Sequence, residues 1–76
     1  MPHEVIQVRR LCPNDKVGRQ SLVDGLEGDA RSDWLTVVFI TQTSVRVFLT
    51  VYDPGTQQDL TWTGDPLLTV HRSTER

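Results

Sequence analysis

Cysteine is almost absent from this chain: Cys12 stands alone among seventy-six residues, so no internal disulfide can form. Histidine is scarce too. His3 and His71 with one thiol are too few for a structural zinc site unless carboxylates or a second copy complete it. No metal or cofactor is therefore expected, and packing, helped by self-association, must hold the fold. A surplus of positive charge is also missing. Eight basic against ten acidic residues give a net charge of −2, which removes any global attraction to nucleic acid or anionic lipid. Long apolar runs are lacking as well. The opening "MPHEVIQVRR" has neither a signal-peptide core nor a membrane span, and with no disulfide framework the expected location is cytoplasmic, with no membrane contact.

Catalytic signatures are missing in the same way. There is no Walker loop, no G-x-G-x-x-G and no G-x-S-x-G elbow. "DGLEGD" brings three carboxylates together without the order or the later glutamate of a calcium loop. Cys12 with His3 or His71 would be a thiol and base without a nucleophile motif, and Cys12 before Pro13 reads more simply as a small buried apolar side chain. The chain is expected not to be an enzyme.

What the chain does have is β-branched and aromatic residues in short runs between turns. Glu4 to Arg9 reads as a strand, and Lys16 to Val23 as a weaker one interrupted by Gly18. "CPND" between them suits a type I turn with Pro13 second. Residues 21–33 form an acidic segment with two glycines, read as a loop with at most a short helical turn. Trp34 to Thr41 and Val45 to Tyr52 are strands joined by "QTS", a tight three-residue hairpin. That loop sets Leu35 against Val51, Val37 against Leu49, Phe39 against Val47 and Thr41 against Val45, which makes this the core face. "DPGT", as a type II turn, then places Leu60 beside Leu49 and Trp62 beside Val47. "LLTVHR" supplies a last strand with Leu68 and Val70 inward, and residues 73–76 read as a frayed tail.

The expected architecture is a single all-β domain over 1–76: a small five-stranded barrel or a strongly bent antiparallel meander. A chain this short has a stability margin on the order of 4 to 11 kcal/mol, so each large buried side chain counts.

The same pairing puts Trp34, Val38, Ile40, Arg46, Phe48 and Tyr52 on the second face, an apolar surface that needs a cover. Three covers are open: the chain's own N-terminal strand or 21–33 loop, a second copy in a homodimer, or another protein. The expected role is a non-enzymatic protein-interaction module using these six residues. The alternative is a small nucleic-acid-binding barrel using Arg9, Arg10, Lys16, Arg19 and Arg46, a less favoured partner because Asp53, Asp59 and the acidic segment border that surface.

"LCPND", "DWLTV", "SVRVFLTVYDPG" and "PLLTVHR" together resemble the layout of small SH3-like β-barrel proteins of actinobacteria and their phages. The resemblance is carried by Pro13 to Asp15, Trp34, Val37, Val45, Val47, Asp53, Gly55, Val70 and Arg72, and Asn14 stands where such proteins often have glycine. It implies an SH3-like fold and a phage or mobile-element source, and it implies no activity.

Overall fold

The computed structural model describes residues 3–74. Among these described residues, seven strands run β1 (His3–Gln7), β2 (Lys16–Gly18), β3 (Leu26–Glu27), β4 (Trp34–Gln42), β5 (Val47–Asp53), β6 (Gln58–Gly64) and β7 (Thr69–Ser73). A 3₁₀ turn at Val8–Arg10 follows β1, and a one-turn helix α1 (Arg19–Leu22) follows β2. Ser73, expected to open a frayed tail, instead ends β7, and residues 75–76 of that tail lie outside the described residues. All strand pairs are antiparallel, in the order β1-β7-β2-β4-β5-β6-β3. The all-β class is therefore right, but the sheet has seven strands and its ends are not joined, so the five-stranded barrel is corrected to an open sheet. No helix among the described residues is long and apolar enough to cross a membrane.

One buried cluster takes residues from the whole sheet and its connections, from Val8 and Leu11 through Val17, Leu22, Leu35 and Val37 to Val51, Trp62 and Val70. Seven flat strands would spread over about 29 Å at the usual strand spacing. Side chains from both ends of such a sheet meet in one core only if the sheet curls strongly. Trp62 is the largest member, and two glycines make room for it. A Cβ on Gly64 would lie 2.3 Å from the indole, and one on Gly25 would lie 2.7 Å from Nε1.

The β4–β5 hairpin turns one and a half residues later than "QTS" implies. The Thr43 N–H donates to the Arg46 carbonyl at 2.8 Å, closing a turn on Ser44 and Val45, and the Thr43 hydroxyl accepts from the Arg46 N–H at 3.0 Å. Gln42 pairs with Val47, Thr41 with Phe48, Ile40 with Leu49 and Phe39 with Thr50. The register then slips at a bulge between Val37 and Phe39, below which Val37 meets Val51 and Thr36 meets Tyr52. Leu35 and Val37 are buried as expected. Phe39 is not: it is 59% exposed, and Ile40 takes the inward place against the core.

The cause of the bulge is a turn from an earlier part of the chain that packs against it. The Asn14 N–H donates to the Val37 carbonyl at 2.7 Å and the Val37 N–H donates to the Asp15 carbonyl at 2.8 Å, so the 12–15 turn clamps both backbone groups of Val37. Beyond this point β4 has lost β2 as a neighbour, and one extra residue bends it around the core. That turn is type II rather than type I: Asn14 has φ 77°, the place for a glycine or asparagine, and the Asp15 N–H donates to the Cys12 carbonyl. Cys12 is exposed, against the expectation that it is buried. At the next connection Gln57, not Gly55, carries the positive φ, and the β5–β6 register shifts by two, pairing Leu49 with Trp62 and Val51 with Leu60. A shift of two keeps every side chain on its face. Leu68 lies outside β7 and is exposed, while Val70 is buried.

Candidate functional site

The six residues expected on the second face do not stay together. Val38 and Phe48 stay together on the outer surface, 46% and 38% exposed, and the bulge brings Phe39 out beside them. Phe39 opposes Thr50 and Phe48 opposes Thr41, so the two phenylalanines are diagonal neighbours across β4 and β5. Thr61 and Thr63 of β6 continue this surface opposite Thr50 and Phe48. Arg46 is exposed at the hairpin turn. Ile40 leaves the face, because the odd residue at the bulge reverses its side. Tyr52 is half-buried opposite Thr36 and Asp59.

Trp34 belongs to a different site. β2 pairs with β4 so that Gly18 opposes Trp34, and β7 lies on the other side of β2. His3 and His71 converge there: the imidazole centroids are 5.0 Å apart, and His3 lies 6.5 Å from the Trp34 ring. α1 closes one side, where the Ser21 hydroxyl accepts the His71 N–H at 3.0 Å. The result is a cleft of about 350 Å³ whose lining also includes Arg19 and Asp33. The Arg19 guanidinium lies 3.6 Å from the Asp33 carboxylate and also donates to the Ala30 carbonyl at 3.3 Å. Thus the first of the three covers is realised only for Trp34, by β1 and β2.

A second, polar cleft of about 540 Å³ is built on Arg72. Its guanidinium pairs with Glu4 and, at 3.4 Å, with Asp15, whose carboxylate also accepts the Cys12 N–H at 2.8 Å. This network ties β1, the 12–15 turn and β7 together. No group of three or more His, Cys, Asp or Glu among the described residues is arranged to hold a metal.

The five cations of the nucleic-acid alternative are not gathered into one track. Arg9 and Arg10 follow β1, with the Arg9 carbonyl held by the Gln42 side chain near the hairpin end, where Arg46 also lies. Lys16 and Arg19 are at the opposite end of β4, beside Thr36 and Trp34. Along β4, Gln42 lies six residues from Thr36 and eight from Trp34, so about 20 to 26 Å of strand separates the groups.

Asp53, read from sequence as part of a turn, is fully buried. Its carboxylate accepts from the Arg31 N–H at 2.7 Å, the Ser32 and Gly55 N–H groups at 3.0 Å, and the Thr56 hydroxyl at 3.0 Å. Burial pushes this carboxyl up, but the Arg31 N–H, the Ser32 hydroxyl and the Gly55 and Ser32 N–H groups outweigh it and hold Asp53 well below the usual carboxylate range. The far end of the acidic 21–33 segment is thereby fastened to the β5–β6 turn. Its middle is fastened too, since β3 pairs Leu26 with Trp62 and the Gly25 carbonyl accepts from Thr63.

No family model, no curated protein and no solved structure matches this chain.

Proposed function

We propose that this chain is a non-enzymatic interaction module, an accessory protein of a phage or mobile element that binds or inhibits a host protein through the outer face of β4 and β5. The observation that carries this reading is Phe39 and Phe48 lying exposed on adjacent strands with Val38 beside them. None of the three serves the core. Threonine occupies Thr41, Thr50 and Thr61 on the same surface, and would suit the sheet equally well at 39 and 48. Apolar patches of this kind on small proteins mark interfaces, and aromatic rings supply most of the binding energy at such sites. The threonines offer hydrogen-bonding groups without charge around the rings, and Arg46 adds a cation at the margin, in keeping with an apolar centre and a polar rim. The phage or mobile-element origin rests on the resemblance of the turns and strands to SH3-like barrels.

The test compares wild type with a Phe39→Asp/Phe48→Asp variant, first for an unchanged β spectrum, then in sedimentation at increasing concentration and in capture from cells of the source. A species, whether a host protein or a second copy, that wild type binds and the variant loses is the expected result. Monomeric wild type with identical capture by both chains would overturn the reading.

A further inference from the structure

We propose that the free edge of β1 docks β1 of a second copy of this chain, antiparallel and about a twofold axis through Val5, independently of the Phe39 and Phe48 surface. In an antiparallel ladder, residue pairs that exchange backbone bonds alternate with pairs that do not. The Val8 N–H donates to the Leu68 carbonyl at 2.8 Å, so Val8, and in phase with it Ile6 and Glu4, turn their backbone groups toward β7. His71, which pairs with Val5, gives the same phase from the other strand: its N–H donates away from β1, to the Ser21 hydroxyl at 3.0 Å. The N–H and C=O groups of Val5 and Gln7 therefore point out of the sheet, along the margin where no strand follows β1. The Val5 side chain is exposed as well, on the same surface as His71.

Outward backbone groups take a strand, and β1 is complementary to itself. With Val5 on the axis, Val5 meets Val5, Glu4 meets Ile6 and His3 meets Gln7 of the second copy, so all five residues of β1 are matched. The outward phase is the bonding phase of this register, in which Val5 exchanges both its backbone bonds with its own image. A register displaced by one residue sets outward groups against inward ones, and one displaced by two keeps only three of the five pairs. Glu4, the one carboxylate of the strand, is paired with Arg72 of its own chain and falls opposite isoleucine, so no like charges meet directly. The two valines at the centre form a β-branched pair that covers both exposed side chains. Each copy brings a strand already formed on β7, which removes the ordering cost of a flexible segment. Five residues a side is well short of the roughly 20 to 30 of a standard interface, so the association is weak and forms at high concentration.

The experiment is a concentration series of the full chain, read by sedimentation and by amide hydrogen exchange. As the dimer forms, the Val5 and Gln7 amides should gain protection, while the Ile6 amide, turned toward β7, is protected throughout. Val5→Pro removes an outward donor without removing a bond to β7, a position where an edge strand accepts proline, and should abolish the association. Val5→Lys sets two ammonium groups together at the axis and should weaken it tenfold or more. Phe39→Asp with Phe48→Asp should leave it as it is. In a parallel arm the dilute chain is titrated with an unrelated extended peptide of alternating valine and threonine. A wild type that is monomeric at every concentration would overturn the proposal, as would a dimer in which the Val5 and Gln7 amides gain no protection, or one that Val5→Lys leaves unaltered. Occupation of β1 by the peptide while the chain alone stays monomeric would assign this edge to a foreign strand instead.

Discussion

The two halves of the β4–β5 ribbon are equally apolar in sequence and differ in what their outer surfaces meet. Below the bulge, Trp34 lies against Gly18 and His3, Val37 is clamped by the 12–15 turn, and β5 ends in the buried carboxylate of Asp53. Above it, β4 has only β5 as a strand neighbour, and Val38, Phe39 and Phe48 face outward. The inner side carries core residues in both halves, Leu35, Val37 and Val51 below and Ile40, Val47 and Leu49 above, so the main difference lies on the outer side. Alternation of apolar and polar residues reports burial on one face; whether the other face is covered depends on which strand the chain lays beside it.

Breaking the shared inner side should have the largest effect. Trp62→Ala empties the space between Gly25 and Gly64 and should cost about 3 to 5 kcal/mol, enough to consume most of a small domain's margin, read from the urea midpoint. Next comes the anchor of the lower half. Asp53→Ala should lower the thermal midpoint and increase proteolysis within residues 21–33, because four donors lose their acceptor. The pH dependence follows from the sign of the shift. A carboxyl held low in the folded chain and near about 4 when unfolded contributes its full stability above that pH, and the contribution fades as acid protonates it below about 4. Asp53→Asn should flatten this acid limb in denaturation curves collected from neutral pH downward.

A smaller effect belongs to the clamp. Asn14→Gly should be nearly neutral, whereas Asn14→Val forces a β-branched residue to φ 77° and should cost about 1 to 2 kcal/mol. The smallest effect on stability belongs to the upper outer side: Phe39→Thr with Phe48→Thr should change folding by no more than about 0.5 kcal/mol while abolishing association. A loss of several kcal/mol there would make the two rings structural and erase the contrast between the halves.

Much of the core was legible because strand errors of two residues are harmless to facing. The expected pairing of Leu35 with Val51 and the observed pairing of Val37 with Val51 differ by two, and so do the expected and observed partners of Leu49 on β6. An odd displacement is not harmless. The residue added at Val38 exchanged Phe39 and Ile40 between faces, and nothing near it marks a bulge: the cause is a turn more than twenty residues earlier. The assembly of His3, Gly18, Trp34 and His71 was hidden for a similar reason, since it follows from β7 inserting between β1 and β2. Alternation carries no information about that order. Asp53 was legible as a turn residue, but its burial depends on Arg31 and Ser32, whose approach no local pattern announces. Asn14 could have been read correctly, because asparagine after proline suits a turn with a left-handed third residue.

The unjoined ends of the sheet are unequal. β3 offers two residues at one margin, while β1 offers five at the other, with Val5 turned outward. Of the two margins, β1 offers the longer template for a ribbon added through backbone bonds. Copies of this chain that met by that route would do so β1 to β1, around a twofold axis, which occupies this margin on both copies. Lopsided margins of this kind give an open sheet a preferred side for any strand added to it.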